Sequence, residues 1–343
     1  MTTTIGVLGA GSWGASLASL LSQKGLDVTL WEYNPDQAKQ LVAWRSLKFF
    51  PHLVIPKEIT ITSDLRETCE NKDFIVVVVP SHVLRNAVHE LSLLSLDLSR
   101  TTVVTATKGI ENTSLKRMSE VIAEELPQVS GRIVALSGPT HAEEVIQRIP
   151  TVATVASLNQ QAALDAQQLF LTGFFRIYTN TDIIGVEIGG AIKNIFSIAA
   201  GICDGLGLGD NTKAALVTRG LREMVSLGVK MGGQPSTFFG LAGLGDLVVT
   251  AFSQHSRNRA LGEKVGKGKS LPDSEKELIM VAEGVKTTKS AYELGRKYGI
   301  ELPIVEQVYE VLYNGKAPQN AVEELMMRET KPEAKLNLGE LII

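Results

Sequence analysis

The stretch from Val7 to Ala18, VLGAGSWGASLA, constrains the chain most. It follows a short apolar run and sets Gly9, Gly11 and Gly14 in the spacing G-x-G-x-x-G ahead of an amphipathic segment. In a strand–turn–helix setting each glycine has its own reason. Gly9 permits the tight turn, Gly11 lets a pyrophosphate approach the backbone, and Gly14 lets the helix pack closely on the strand. A helix beginning near Gly14 turns its amide-rich end towards that phosphate. A bare glycine turn is the alternative, but the strand before, the helix after and the place in the first βαβ unit favour a dinucleotide site. Glu32 ends the next apolar run, where a carboxylate can bind the ribose 2′-hydroxyl of NAD. Its neighbours Tyr33, Asn34 and Pro35 supply no arginine for a 2′-phosphate. The local chemistry leans towards NAD(H) and leaves NADP(H) open.

The rest of the first half repeats the same alternation. IGVLG (5–9), VTLWE (28–32), TITS (60–63), FIVVVVP (74–80), TTVVTAT (101–107), RIVALSG (132–138), TVATVA (151–156) and FRIYT (175–179) read as strands. Several are continuously apolar, as strands covered on both faces are. Amphipathic segments at 14–24, 35–44, 81–94, 115–125 and 159–171 separate them, which predicts an α/β, Rossmann-like doubly wound domain over residues 1–181. Beyond it the strand signals stop. Helical patterns at 183–204, 212–231, 257–266, 285–298 and 304–314 predict an all-α substrate-binding domain over 182–343, with a long helix at the junction. The tail, 330–343, receives no assignment.

Within EIGGAIKNIFSIAAGICDG (187–205), Lys193 is the one charged side chain between Ile188 and Cys203. It leans over the turn carrying Gly189 and Gly190, whose missing side chains leave room either for a ligand or for close helix packing. A snorkelling lysine is the plain alternative. Asn194 beside it and the domain junction favour a general base, its pKa lowered from ~10.4 by desolvation. Ser256 caps a predicted helix whose first turn holds Arg257 and Asn258, a receptor for a phosphate dianion or else a solvated basic patch. Lys108 sits at the C-terminal end of a predicted strand, the ligand side of an open α/β sheet. Asp246, isolated among apolar residues and glycines in LAGLGDLVVT, needs a lysine partner or a catalytic network.

A net charge of −3 and a pI near 6.0 give no electrostatic case for nucleic acid or an acidic membrane. The N-terminus lacks a basic leader, and the apolar run 188–203 is interrupted by Lys193 and short for a bilayer. Two separated cysteines, Cys69 and Cys203, fit reduced thiols in cytosol. The histidines show no ligand spacing, so no metal is expected; His141 and His255 are the candidates for a histidine base, neither with an Asp partner nearby in sequence. GKGKS (266–270) has the wrong spacing for a P-loop.

Together GAGSWG (9–14), VVVPS (77–81), TKGIE (107–111), SGPTHAEEV (137–145), EIGGAIKNI (187–195), DGLGLGDNTKAAL (204–216), GLAGLGDLVVT (240–250), SRNR (256–259) and AEGVKT (282–287) resemble the soluble bacterial NAD(P)-dependent glycerol-3-phosphate dehydrogenases. The resemblance implies interconversion of sn-glycerol 3-phosphate and dihydroxyacetone phosphate for glycerophospholipid synthesis, by a cytoplasmic homodimer. It makes Lys193 the proton acceptor and sets Lys108 against both substrate and cofactor. Gly138, Thr140, Asn194, Asp246, Thr250, Ser256, Arg257 and Asn258 fall at the substrate. Ser12, Trp13, Tyr33, Ala142, Val281 and Glu283 fall at the dinucleotide with the three glycines and Glu32, and Arg257 reaches it too. Glu32 departs from the family, where a small residue followed by a basic or polar one is often expected. Two rivals stand beside this reading: a β-hydroxyacid dehydrogenase preferring a carboxylate, and a non-catalytic NAD(H)-binding redox sensor.

Overall fold

The computed structural model describes residues 2–278, 281–330 and 332–333. Its strands are β1 (Thr4–Leu8), β2 (Asp27–Trp31), β3 (Ser46–Leu47), β4 (Phe50–Val54), β5 (Thr60–Thr62), β6 (Phe74–Val77), β7 (Thr102–Thr105), β8 (Ile133–Ser137), β9 (Thr151–Ala156) and β10 (Phe175–Asn180). All eight runs expected as strands join one sheet in the order β10-β9-β8-β7-β6-β1-β2-β5. The pairings are parallel except β8 with β9, so β9 and β10 run against the rest and the sheet is mixed at that edge. The hairpin β3–β4, which lies outside the runs expected as strands, forms a separate two-stranded ribbon.

Burial on both faces explains the unbroken apolar runs. Val76, Val104 and Val134 join the core on one face, beneath the helices Ser12–Gln23 and Gln160–Phe170. Their neighbours Ile75, Val77, Val103 and Ile133 join the core on the other, beneath Leu84–Leu93 and Met118–Glu125. Period-two alternation therefore sends apolar side chains into two layers rather than one layer and water. Strand order reverses between β1 and β6, which opens a crevice at their C-terminal ends.

Past β10 the described residues are helical. The helix Ile183–Gly205 starts at Asp182, whose carboxylate accepts the amide of Gly185 at 2.8 Å. Every residue from Gly185 to Cys203 is buried. Its length and apolarity match a bilayer-crossing helix, but here they serve a core wrapped by Asp210–Lys230, Asp246–Phe252, Arg257–Gly266 and Glu283–Tyr298. Against Arg257–Gly266 the approach is closer than side chains allow: a Cβ on Gly201 would lie 2.0 Å from the Arg259 carbonyl oxygen. The tail 330–343 lies outside the described residues except for Thr330, Pro332 and Glu333.

Candidate active site

A cleft of about 680 Å³ runs from the glycine turn to the central helix. Gly9 takes φ +113°, a turn that L side chains resist, and the helix begins at Ser12, slightly ahead of the expected start. A Cβ on Gly14 would strike the Gly9 carbonyl oxygen at 1.9 Å, so that glycine serves packing. A Cβ on Gly11 would meet nothing within 4 Å, and no side chain caps the helix. This open face in front of first-turn amides fits a pyrophosphate. Ser12, Trp13, Glu32 and Tyr33 line the same end of the cleft. Burial raises the Glu32 pKa, while the Asn34 amide, donating at 3.1 Å, opposes the shift. The Asn34 side chain is taken up in capping the helix Pro35–Trp44. Among the described lining residues the lysines and arginine are Lys108, Lys193 and Arg257, clustered around Asp246 and Glu283 rather than beside Glu32.

At the inner end one carboxylate joins two lysines. Asp246 accepts Lys108 Nζ at 2.5 Å on Oδ2 and Lys193 Nζ at 2.9 Å on Oδ1. Lys193 Nζ also donates to Thr250 Oγ1 at 2.6 Å, and the Thr250 hydroxyl donates to the Asp246 carbonyl at 2.6 Å. Lys108 Nζ donates to the Gly138 carbonyl at 2.9 Å. Burial pushes the Lys193 pKa down to about 8; Asp246 resists this, and the Lys108 and Arg257 charges assist it. Desolvation thus outweighs the adjacent carboxylate. For Asp246 burial acts upward, but Lys108 and Lys193 outweigh it and hold the carboxyl below its ordinary value.

The remaining expected residues divide between wall and support. Thr140, Ala142, Asn194, Asp246, Thr250, Ser256, Arg257, Asn258, Val281 and Glu283 all line the cleft with Lys108 and Lys193. Ser256 caps its helix by accepting the Arg259 amide at 3.2 Å. Asn258 donates to Asn194 Oδ1 at 2.8 Å and accepts the Gly284 amide at 2.9 Å, which joins three helices behind the wall. Glu283 is bound by Ser81, whose hydroxyl donates at 2.5 Å, so it links the turn after β6 to the second set of helices. Gly138 is not on the wall; its missing side chain would meet Ala153 Cα at 3.0 Å, and it reaches the site through its carbonyl. Nor do Gly189 and Gly190 leave ligand space. A Cβ there would lie 2.8 Å from the Ala242 carbonyl and 2.4 Å from Ser137 Oγ, so close packing accounts for both.

His141, one of the two candidates for a histidine base, also lines the cleft, with its ring 6.0 Å from that of the other, His255, on the same wall. Burial, then the Lys193 charge, pushes its pKa down to about 4, and its Nε2 is buried without a partner among the described residues. Its position directly after Thr140 in SGPTHAEEV was the available signal. No group of three or more His, Cys, Asp or Glu among the described residues is arranged to hold a metal ion.

A switch-point cleft that joins an open glycine turn to a buried amine defines a nicotinamide-dinucleotide oxidoreductase of two-domain type. Comparison with known proteins narrows the class. Residues 4–163 match the family model for the NAD-dependent glycerol-3-phosphate dehydrogenase N-terminus, and residues 182–323 that for its C-terminus. A glycerol-3-phosphate dehydrogenase [NAD(P)+] of Thermoanaerobacter sp. (strain X514) is 50% identical over 329 residues, covering 96% of this chain and 98% of that protein. One of Geobacter sulfurreducens is 50% identical over 335 residues, covering 97% and 99%. The crystal structure of glycerol-3-phosphate dehydrogenase from Coxiella burnetii superposes with a TM-score of 0.91 at 37% identity, covering 95% of this chain and 99% of that one. The chain belongs to the NAD-dependent glycerol-3-phosphate dehydrogenase family.

Proposed function

We propose that Lys193 exchanges the proton in the reaction of this family, the interconversion of sn-glycerol 3-phosphate and dihydroxyacetone phosphate with NAD(P). The observation that carries the reading is a buried amine, at 2.9 Å from Asp246 and 2.6 Å from Thr250, on the wall of the cleft that reaches the glycine turn. The nicotinamide, when bound, supplies or accepts the hydride at C2 of the substrate. In oxidation neutral Lys193 takes the C2 hydroxyl proton; in reduction its ammonium polarises the ketone and returns the proton. Asp246 and Thr250 aim the amine. Arg257, the first-turn amides of its helix and the second amide hydrogen of Asn258 receive the phosphate, whose binding energy holds C2 in the reactive pose. The glycine turn, Ser12, Trp13, Tyr33, Ala142, Val281 and Glu283 hold the dinucleotide. Glu32 favours NAD over NADP.

The division into a dinucleotide domain, 1–181, and a helical substrate domain, 182–343, is supported by the end of β10 at Asn180 and the start of the central helix at Ile183. A soluble cytoplasmic homodimer supplying glycerophospholipid synthesis completes the proposal, and light scattering of the purified chain tests the dimer. The deciding assay is loss of NADH absorbance on adding dihydroxyacetone phosphate. Lys193→Met is expected to retain dinucleotide binding and lose at least ~100-fold in kcat; near-normal turnover would reject the assignment.

A further inference from the structure

Glu187 is buried on the central helix, lines no part of the cleft and takes no part in the proton transfer proposed above. Its carboxylate nevertheless gathers three donors from the dinucleotide half of the chain. Arg117 Nη1 donates to it, as do the Ser119 amide at 2.7 Å and the Ser119 hydroxyl at 2.6 Å. Those residues end a segment that begins with Lys108, after β7. The segment folds back on itself: Ile110 bridges Arg117, and the Glu111 amide donates to the Lys116 carbonyl at 3.0 Å. It meets the central helix a second time at Gly190, where a Cβ would lie 3.7 Å from Lys108 Cγ. Both contacts fall less than two turns from Lys193 on the same helix.

We propose that Glu187 is a positioning residue: by binding Arg117 and Ser119 it fixes the Lys108 segment against the central helix, and so sets how Lys108 and Lys193 share Asp246. The proposal rests on the reading of Lys193 given above. The clamp touches neither the glycine turn nor Glu32, so its loss is expected to bear on turnover far more than on dinucleotide binding. The geometry of the two lysines is not: Lys108 holds Asp246 from one side at 2.5 Å and Lys193 from the other at 2.9 Å. Misplacement by about 1 Å near reacting atoms is enough to cost ~100-fold in rate.

The test is Glu187→Gln in the full chain. A Gln side chain keeps the shape but offers one acceptor oxygen and an amide group where two oxygens served three donors. The expected result is a kcat lowered ~10-fold or more with an unchanged Kd for NADH, read by fluorescence. The titratable and charged groups facing Lys193 are Asp246, Lys108, Arg257 and His141, the last neutral at physiological pH. Loosening Lys108 removes part of the positive field that favours the neutral amine, so the pH limb for oxidation moves upward. Arg117→Lys, which keeps the charge at Glu187, should recover part of the kcat lost in Arg117→Met. A lowered Tm with kcat and pH limb at their wild-type values would overturn the proposal and leave Glu187 a structural cap. Should Glu187→Gln fail to fold, Ser119→Ala is read by the same measurements. If Lys193→Met kept its turnover the underlying reading would fail; an inactive Lys193→Met beside a wild-type Glu187→Gln would sink the clamp alone.

Discussion

Opposite pH profiles in the two directions of catalysis follow from the environment of Lys193. Burial, resisted by Asp246, lowers its pKa from 10.5 to about 8. With that value about one amine in ten is neutral at pH 7 and about nine in ten at pH 9. Oxidation of glycerol 3-phosphate needs the neutral amine, so its kcat/KM should rise about tenfold across this interval. Reduction of dihydroxyacetone phosphate needs the ammonium, and its kcat/KM should fall about tenfold over the same range. Initial rates of NADH appearance and disappearance with both substrates well below KM measure both limbs, and C2-deuterated glycerol 3-phosphate shows whether hydride transfer limits the rate. The same shift bears on stability. Because the folded chain holds this proton less tightly than the unfolded one, a cost of about 3 kcal/mol is present below pH 8 and is relieved as pH rises from about 8 towards 10.5. Asp246→Asn removes the carboxylate that favours the ammonium, so both catalytic limbs should move to lower pH. Limbs that run in the same sense in both directions, or that persist in Lys193→Met, would refute the reasoning.

Three further outcomes are expected. Gly11→Ala should leave the Tm of the ligand-free protein unchanged but raise the KM for NADH, since its Cβ enters open space, whereas Gly14→Ala should lower the Tm because its Cβ meets the Gly9 carbonyl at 1.9 Å; calorimetry and kinetics separate the two, and equal Tm losses would contradict the division of roles. Glu32→Ala should lower the KM for NADPH relative to NADH by ~10-fold or more by removing a charge that opposes a 2′-phosphate, and an unchanged ratio would show that Glu32 does not select the coenzyme. His141 has its pKa pushed down to about 4 by burial and stays neutral at physiological pH; His141→Phe should therefore preserve the limb near 8, and loss of that limb would move the proton transfer from Lys193 to His141.

The sequence revealed most where a residue's local surroundings determine its role. Short β-rich runs, several of them continuously apolar, located all eight strands of the main sheet, and the start of one helix at Arg257 followed from Ser256 as its cap. Lone charges in apolar segments led to Lys193 and Asp246 because a buried charge needs a partner. Relations across the fold were less accessible. The reversal of β9 depends on how the short helix Ala142–Ile146 returns the chain, and no periodicity records strand direction. The hairpin β3–β4 has little apolar alternation and owes its place to packing on neighbouring helices. For Gly189 and Gly190 taken alone close helix packing is the better sequence reading and a ligand the alternative, and what fills the gap is decided by Ala242 and Ser137, distant in sequence.

The pairing of two lysines with one carboxylate has a physical logic beyond holding a substrate. A single lysine facing Asp246, which is 2% exposed, would be kept charged, because its loss of a proton would leave a buried carboxylate unpaired. Lys108 removes that constraint. Its ammonium satisfies Asp246 at 2.5 Å and the Gly138 carbonyl at 2.9 Å, independently of the state of Lys193. Lys193 can then give up or regain a proton while the carboxylate keeps a full positive partner. Asp246 in turn retains Lys193 in place by hydrogen bonding whichever form it takes, and Thr250 Oγ1 at 2.6 Å provides a second fixed contact. The proton-exchanging group can thus change its charge while it stays geometrically held, a combination that one lysine and one carboxylate alone would not provide.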